Sequence, residues 1–373
     1  MASANTVQVR HQADAPSGGA SGASAKSGAP VLSVSDLVVE FPLADGQVVH
    51  AVSGVSLDLA DGETVGILGE SGSGKSSAAR ALMQLPPPTA GSVKLQGKEL
   101  TGRRGAALRT DRARMQMIFQ DPISSLNPRR RVKDLVAQGP RTWGRKVSDD
   151  DIREVLEAVG LRPEVVWDRR PHELSGGQCQ RVSIARALML DPQVLICDEP
   201  VSALDVSVQA QILNLLEDAK KRYNLSVLFI AHDVAVVKNI SDRVMVMYLG
   251  KVCEVVPSSK LVEEARHPYT QLLLASVPEM HSSSSGAGSG VGGSGPGASG
   301  VSDGQGSATS VGSVELPSPI NPPSGCRFRT RCPLATDLCA AEAPMLRDLG
   351  DGHLLACHHA DSRHAGSAGR GEG

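Results

Sequence analysis

The stretch GESGSGKSS, residues 69–77, sets glycines around one lysine in the spacing G-x-x-x-x-G-K-[ST], filled by Gly69, Gly74, Lys75 and Ser76. Glycines let the backbone curl so that successive N–H groups point inward at phosphate oxygens, beside a helix N-terminus whose dipole favours anions. Lys75 has the reach for the β- and γ-phosphates, and the Ser76 hydroxyl is a ligand for Mg²⁺. The intervening Glu70, Ser71, Gly72 and Ser73, with Ser77 behind them, complete the candidate nucleotide-binding set.

A second cluster lies in VLICDEP. Asp198 ends an apolar run, placed to hold the Mg²⁺ shell, and Glu199 beside it can polarise an attacking water as general base. Together the two clusters predict a nucleotide hydrolase.

These residues need strands that end where the chemistry begins. TVGIL precedes the loop and helical SSAARALM follows it; PQVLICDEP and LSVLFIAHD are further short apolar runs, each leading into a turn or helical pattern. Continuous apolar strands suit a parallel sheet covered on both faces, with ligands at the strands' carboxyl ends. The expected class is α/β, a P-loop NTPase core. Between Asp121 and about residue 190 the pattern turns polar and helical, notably at SDDDIREVLEAVGL, which predicts an inserted helical subdomain.

Composition divides the rest. Residues 1–30 are rich in Ala, Ser and Gly and read as a disordered tail; 31–278 are globular; 279–320 form a Gly/Ser-rich linker; 321–361 form a cysteine-rich extension; 362–373 fray again. Net charge is −2 and aromatics are 2 per cent, so neither a basic field nor base-stacking platforms point to nucleic acid. No apolar run approaches the roughly 20 residues of a membrane-spanning helix, and the start lacks a secretory signal, so the expected place is the cytoplasm.

The stretch HELSGGQCQR is the discriminating one. With Leu174, Ser175, Gly176, Gly177 and Gln178 the chain resembles the nucleotide-binding subunits of ABC transporters, whose signature reads LSGGQ. The phosphate loop, Gln120 in MIFQDP, the signature, Asp198–Glu199, Asp205 in SALD and His232 in FIAHD follow in that family's order. The resemblance implies that Ser175 and the following N–H groups close on the γ-phosphate of a partner's loop. It also implies that His232 orients the water and Glu199, that Gln120 contacts Mg²⁺ or the water, and that Asp205 aligns the two protomers. Family members carry an upstream aromatic on adenine, here Phe41.

Three features resemble the ATPases of oligopeptide and dipeptide importers and their nickel-importing relatives: FQDPISSLNPRRRV, Cys179 within SGGQCQR, and HPYT at 267–270. Cys326, Cys332, Cys339 and Cys357 in C-x5-C-x6-C-x17-C complete the resemblance. It implies a [4Fe–4S] cluster in some members; four thiolates also suffice for zinc, with His358 and His359 as spare ligands, and unligated thiols are the third reading. The absence of C-x-x-C knuckles favours iron–sulfur over zinc.

The function so implied is ATP hydrolysis, with Mg²⁺, powering import of di- or oligopeptides at the cytoplasmic face of the membrane. The implied partners are a second ATPase subunit, as a heterodimer, two permeases and an extracytoplasmic peptide-binding protein. A nickel or glycoside importer is the alternative within the branch. Beyond it stand a soluble ABC ATPase and an iron–sulfur redox-regulated ATPase.

Overall fold

The protein is described by a computed structural model over residues 28–276 and 316–359. The expected tails at 1–27 and 362–373 and the linker at 279–315 lie outside the described residues.

Strands β1 (Leu32–Pro42) and β2 (Val48–Leu59) form a long antiparallel pair that alternates inward apolar and outward polar side chains. The fully buried β3 (Thr64–Leu68) leads through the glycine loop into α1 (Lys75–Leu82). Next come β4 (Ala90–Leu95), β5 (Lys98–Glu99), α2 (Gly105–Arg114) and β6 (Met115–Ile118).

The segment after β6 is helical throughout: α3 (Pro122–Ser125), α4 (Val132–Val136), α5 (Gln138–Thr142), α6 (Asp149–Ala158), α7 (Pro163–Val166) and α8 (Gly176–Leu188). Helix α6 shows why its sequence is legible. Ser148 and Asp151 form a reciprocal capping box, three aspartates fill the first turn, and Ile152, Val155 and Leu156 make the buried stripe.

The chain returns to the sheet with β7 (Val194–Asp198), α9 (Val206–Tyr223), β8 (Ser226–Ala231), α10 (Val234–Ile240), β9 (Arg243–Tyr248), β10 (Lys251–Pro257), α11 (Leu261–Glu264) and α12 (Pro268–Ala275). The extension adds α13 (Asp337–Ala341), β11 (Arg347–Asp348) and β12 (Leu354–Leu355).

Two sheets result among the described residues. The smaller runs β2-β1-β4-β5. The larger runs β11-β12-β10-β9-β3-β8-β7-β6, parallel from β9 to β6 and antiparallel beyond. Strands β3, β7 and β8 are buried along their whole length, as the continuous apolar runs required. One core lies between the sheets, around Leu32, Leu59, Ile67 and Met247; the other joins the large sheet to the helical segment and to Phe328 of the extension.

The extension is seated on the body at several points. Phe328 packs edge-on to Tyr248 and tilted against Tyr269, with ring centroids 5.2 and 5.4 Å away. Leu355 pairs with Glu254 across β12 and β10. Inside that joint the buried Glu254 accepts from Arg266 N and His267 N at 2.7 and 3.2 Å, and its Oε1 lies 2.8 Å from His353 Nε2. Residues 316–320, which composition assigns to the linker, also lie on the body: His50 N donates to Pro319 O at 3.0 Å.

Candidate functional site

The phosphate loop sits where β3 ends and α1 begins. Two of its glycines answer to hard constraints. Gly74 has φ +98, and a Cβ there would collide with the Ala51 carbonyl; one on Gly69 would collide with Met247 O. The loop is thereby pressed against β2 and the end of β9. Lys75 Nζ, nearly buried, donates to Gly69 O and Glu70 O at 2.7 and 2.8 Å and lies 3.3 Å from Ser73 Oγ. Burial lowers the Lys75 pKa, opposed by the negative charges of Glu199, Asp198 and Glu70.

Asp198 closes β7 with its side chain wholly buried. Its Oδ1 accepts from Ser76 Oγ at 2.7 Å. Its Oδ2 has no hydrogen-bond partner and lies 3.9 Å from Arg80. Burial raises its pKa, only partly offset by Ser76, Arg80 and Lys75. A buried carboxylate oxygen without a donor beside a serine hydroxyl is an oxygen donor set that suits Mg²⁺.

Glu199 follows with φ +47, a left-handed backbone that turns its carboxylate away from the strand line. Gln120 Nε2 donates to Glu199 Oε2 at 2.8 Å, and His232 Nδ1 lies 3.5 Å from that same oxygen. β6, β7 and β8 end side by side, so residues from three strand ends converge on one carboxylate. A carboxylate held by an amide and an imidazole above a phosphate loop can orient a water and accept its proton.

These residues face a cavity of about 860 Å³. Its walls include Glu70, Ser71, Gly72, Gly74, Lys75, Ser76 and Ser77, with Gln120, Glu199 and His232 at one side and Phe41 and Val49 at another. The volume suits a nucleotide.

The signature stands elsewhere: none of Leu174–Gln178 lines this cavity. Ser175 caps α8 in a capping box, accepting from Gln178 N at 3.3 Å while Ser175 N donates to Gln178 Oε1 at 3.0 Å. Asp205 caps α9 through Val208 N at 3.0 Å. The two helix starts touch, because a Cβ on Gly177 would lie 2.7 Å from Val208 Cγ1.

Cys326, Cys332, Cys339 and Cys357 all fall in the extension, and none of the chain's seven cysteines is disulfide-bonded. Among the described residues no group of three or more His, Cys, Asp or Glu side chains is placed to hold a metal.

Several residues at the site gave no signal in the sequence. Leu273 of α12, Ser276 just after it, and Pro319 line the cavity. Tyr269 Oη accepts from Glu70 N at 2.8 Å, and Arg331 holds the Glu70 carboxylate. HPYT marks the resemblance to the peptide-importer ATPases in the sequence; in the structure its tyrosine reaches the phosphate loop 199 residues upstream.

Residues 52–202 match the ABC transporter family, and residues 253–306 and 308–339 match the family described as oligopeptide/dipeptide transporter, C-terminal region. The chain is 45% identical over 346 residues to the oligopeptide transport ATP-binding protein OppF of Escherichia coli, covering 89% of this chain and 96% of that protein. It is 42% identical over 341 residues to the oligopeptide transport ATP-binding protein AppF of Bacillus subtilis, covering 88% and 97%. Among solved structures it resembles cbiO1 of Clostridium perfringens, part of an ABC transporter complex, with TM-score 0.56, 29% identity, and coverage of 64% of this chain and 92% of that one. A dimeric bacterial ABC transporter cassette gives TM-score 0.56 at 26% identity, over 61% and 98%. By these matches over most of its length, the chain belongs to the ABC transporter ATP-binding proteins of the oligopeptide/dipeptide type.

Proposed function

We propose that this chain binds ATP with Mg²⁺ and hydrolyses it to power import of peptides across a membrane, as the ATP-binding subunit of an ABC transporter. The observation that carries the reading is Glu199, held by Gln120 and His232 over the phosphate loop, in a chain whose relatives are oligopeptide transport ATP-binding proteins.

In this reading Lys75 and the loop N–H groups bind the triphosphate, and Phe41 carries the adenine. Ser76, Asp198 and Gln120 would hold Mg²⁺, which would offset the negative charge of the phosphates. Glu199 takes a proton from water. Ser175, Gly176 and Gly177, which do not line this chain's own cavity, serve the loop of a second ATPase subunit, with Asp205 at the seam. Separation of the two half-sites on one chain supports that division of labour. The partner is a different ATPase chain, and the pair drives two permeases supplied by an extracytoplasmic peptide-binding protein. No described helix is long and apolar enough to cross a membrane, so contact with the bilayer runs through the permeases. Residues 31–278 act as the ATPase body, with 121–190 as the subdomain that meets the permease.

The four extension thiols enter as metal ligands, iron–sulfur before zinc. Burial, then the nearby thiols of Cys339, Cys332 and Cys357, push Cys326 up to about 11, which supports their convergence. The side chains as placed do not form a ligand set, and none of the ATP chemistry runs through them. Anaerobic purification with metal analysis and an absorption spectrum distinguishes cluster, zinc and neither.

The deciding experiment is uptake of a labelled short peptide into vesicles carrying the assembled transporter. Uptake must require ATP inside and vanish with Glu199→Gln; peptide uptake that persists in that variant overturns the reading.

A further inference from the structure

Glu70 is an awkward residue to find where it is. It lines the phosphate cavity as the second residue of the loop, so it sets a carboxylate beside the place the loop prepares for a polyanion. The structure answers with two contacts from the C-terminal region. The Glu70 backbone N–H donates to Tyr269 Oη at 2.8 Å. Its carboxylate takes a bidentate fork from Arg331 of the extension, NH1 to Oε2 at 2.7 Å and NH2 to Oε1 at 3.0 Å. That geometry is the strong form of an ion pair, since two parallel bonds fix both charge and direction.

Arg331 is itself held. Its side chain is 12% exposed, and its guanidinium lies 5.7 Å from the Tyr248 ring and 5.9 Å from the Phe328 ring. Those rings, with Tyr269, form one aromatic cluster, Tyr248 and Tyr269 having centroids 4.7 Å apart. The chain has only four Phe, three Tyr and two Trp, so a third of its nine aromatics stand behind this one arginine. Four residues earlier in the chain, Arg327 donates to Leu249 O and, at 2.9 Å, to Ser53 Oγ; Gly250 N in that same turn donates to Ser73 O of the loop at 2.8 Å.

We propose that Arg331 is a positioning residue of the ATP site: it cancels the Glu70 charge and ties the carboxylate, so that the cysteine-rich extension sets the affinity of the phosphate loop for ATP. The inference rests on the ATP-binding reading above and deepens it. The extension is in this account a part of the nucleotide site, reaching it through one side chain. Arg331 touches neither the phosphates nor the water; its effect passes through Glu70.

The test measures ATP affinity on the purified full-length chain, by equilibrium dialysis with radiolabelled ATP and Mg²⁺, alongside the melting temperature without nucleotide. Arg331→Met leaves the Glu70 charge uncompensated in the cavity and weakens ATP binding by about tenfold. Arg331→Lys, a point charge in place of a fork, gives an intermediate loss of about threefold. The decisive variant is Arg331→Met combined with Glu70→Gln, which removes the charge that needs cancelling and recovers most of the affinity. A merely structural arginine would show no such recovery. In the assembled transporter the loss from Arg331→Met falls on KM for ATP, with kcat within about twofold. Affinity unchanged in Arg331→Met, or a double variant no tighter than Arg331→Met, overturns the proposal. If Arg331→Met does not fold, Arg331→Lys and the double variant decide on the same criteria. Failure of the unsubstituted chain to bind ATP strikes the ATP-binding reading instead.

Discussion

The amide of Gln120 donates to the carboxylate of Glu199 at 2.8 Å, across 79 residues of sequence. Gln120 stands just past the end of β6, where the helical segment begins, and Glu199 just past β7, so the bond joins the start of that segment to the end of the acidic strand. If Glu199 is the base, as proposed, a tilt of the helical segment would act on it through this bond.

Glu199→Gln keeps this contact's shape and removes the base. We expect phosphate release in the assembled transporter to fall by at least about 100-fold, with ATP binding retained. Steady-state phosphate release and filter binding of ATP measure the two halves; equal loss in both would show that Glu199 serves binding.

Gln120→Ala cuts the link and leaves the base in place. The expected loss is about tenfold in kcat, with less than about threefold change in ATP affinity. An unchanged kcat would mean that the bond transmits nothing.

Asp198 is held with its charge in a buried site, and burial raises its pKa above the unfolded value. A raised carboxyl binds its proton more readily when folded, so this residue's contribution destabilises at neutral pH. The cost fades as pH falls through the raised folded value towards the unfolded one. Asp198→Asn should therefore melt higher than the unsubstituted chain at pH 7, by about 2–4 °C for each kcal/mol relieved. Calorimetry without nucleotide or divalent cation tests this, and a lower melting temperature contradicts it. Mg²⁺-dependent ATPase activity should be lost in the same variant.

Gly177→Ala puts a Cβ 2.7 Å from the stiff side chain of Val208. Overpacking of this kind costs about 1–3 kcal/mol. Adding Val208→Ala should restore the melting temperature. If the glycine N–H face serves a partner's nucleotide, as proposed, ATPase activity stays low. Recovery of both would reduce the signature glycine to packing.

His353→Ala removes the side chain that meets Glu254 inside the sheet and leaves a buried carboxylate short of a partner. We expect a loss of about 2–4 kcal/mol and earlier proteolytic release of the extension, read by urea unfolding and limited trypsin digestion. Equal stability would show that Arg266 N and His267 N suffice for Glu254.

The sequence was most readable where chemistry and local backbone coincide. The spacing of Gly69, Gly74 and Lys75 states its purpose because one short loop must do all the curling, and SDDDIREVLEA carries cap, dipole and apolar stripe within ten residues. VLICD reads as a covered strand because every residue in it is buried. What could not be read are contacts between distant segments that leave no local pattern. Arg331 sits 261 residues from Glu70 and looks like any surface arginine in FRTRC. His353 and Glu254 form a buried pair across 99 residues, though neither residue type is expected inside. Residues 316–320, LPSPI, which composition assigns to the linker, bring Pro319 to the cavity wall, a contact that no local pattern in five such residues announces.

The place of β12 bears on how the protein is made. The large sheet opens with β3 at residue 64, yet the edge offered by β10 finds its covering strand only at residues 354–355. On the ribosome that edge waits, with unpaired backbone groups, until synthesis is almost complete. A chain cut short after α12 would keep the phosphate loop, Asp198 and Glu199 and still expose a strand ready to pair with a neighbouring chain. Truncated forms should therefore aggregate as well as bind nucleotide more weakly.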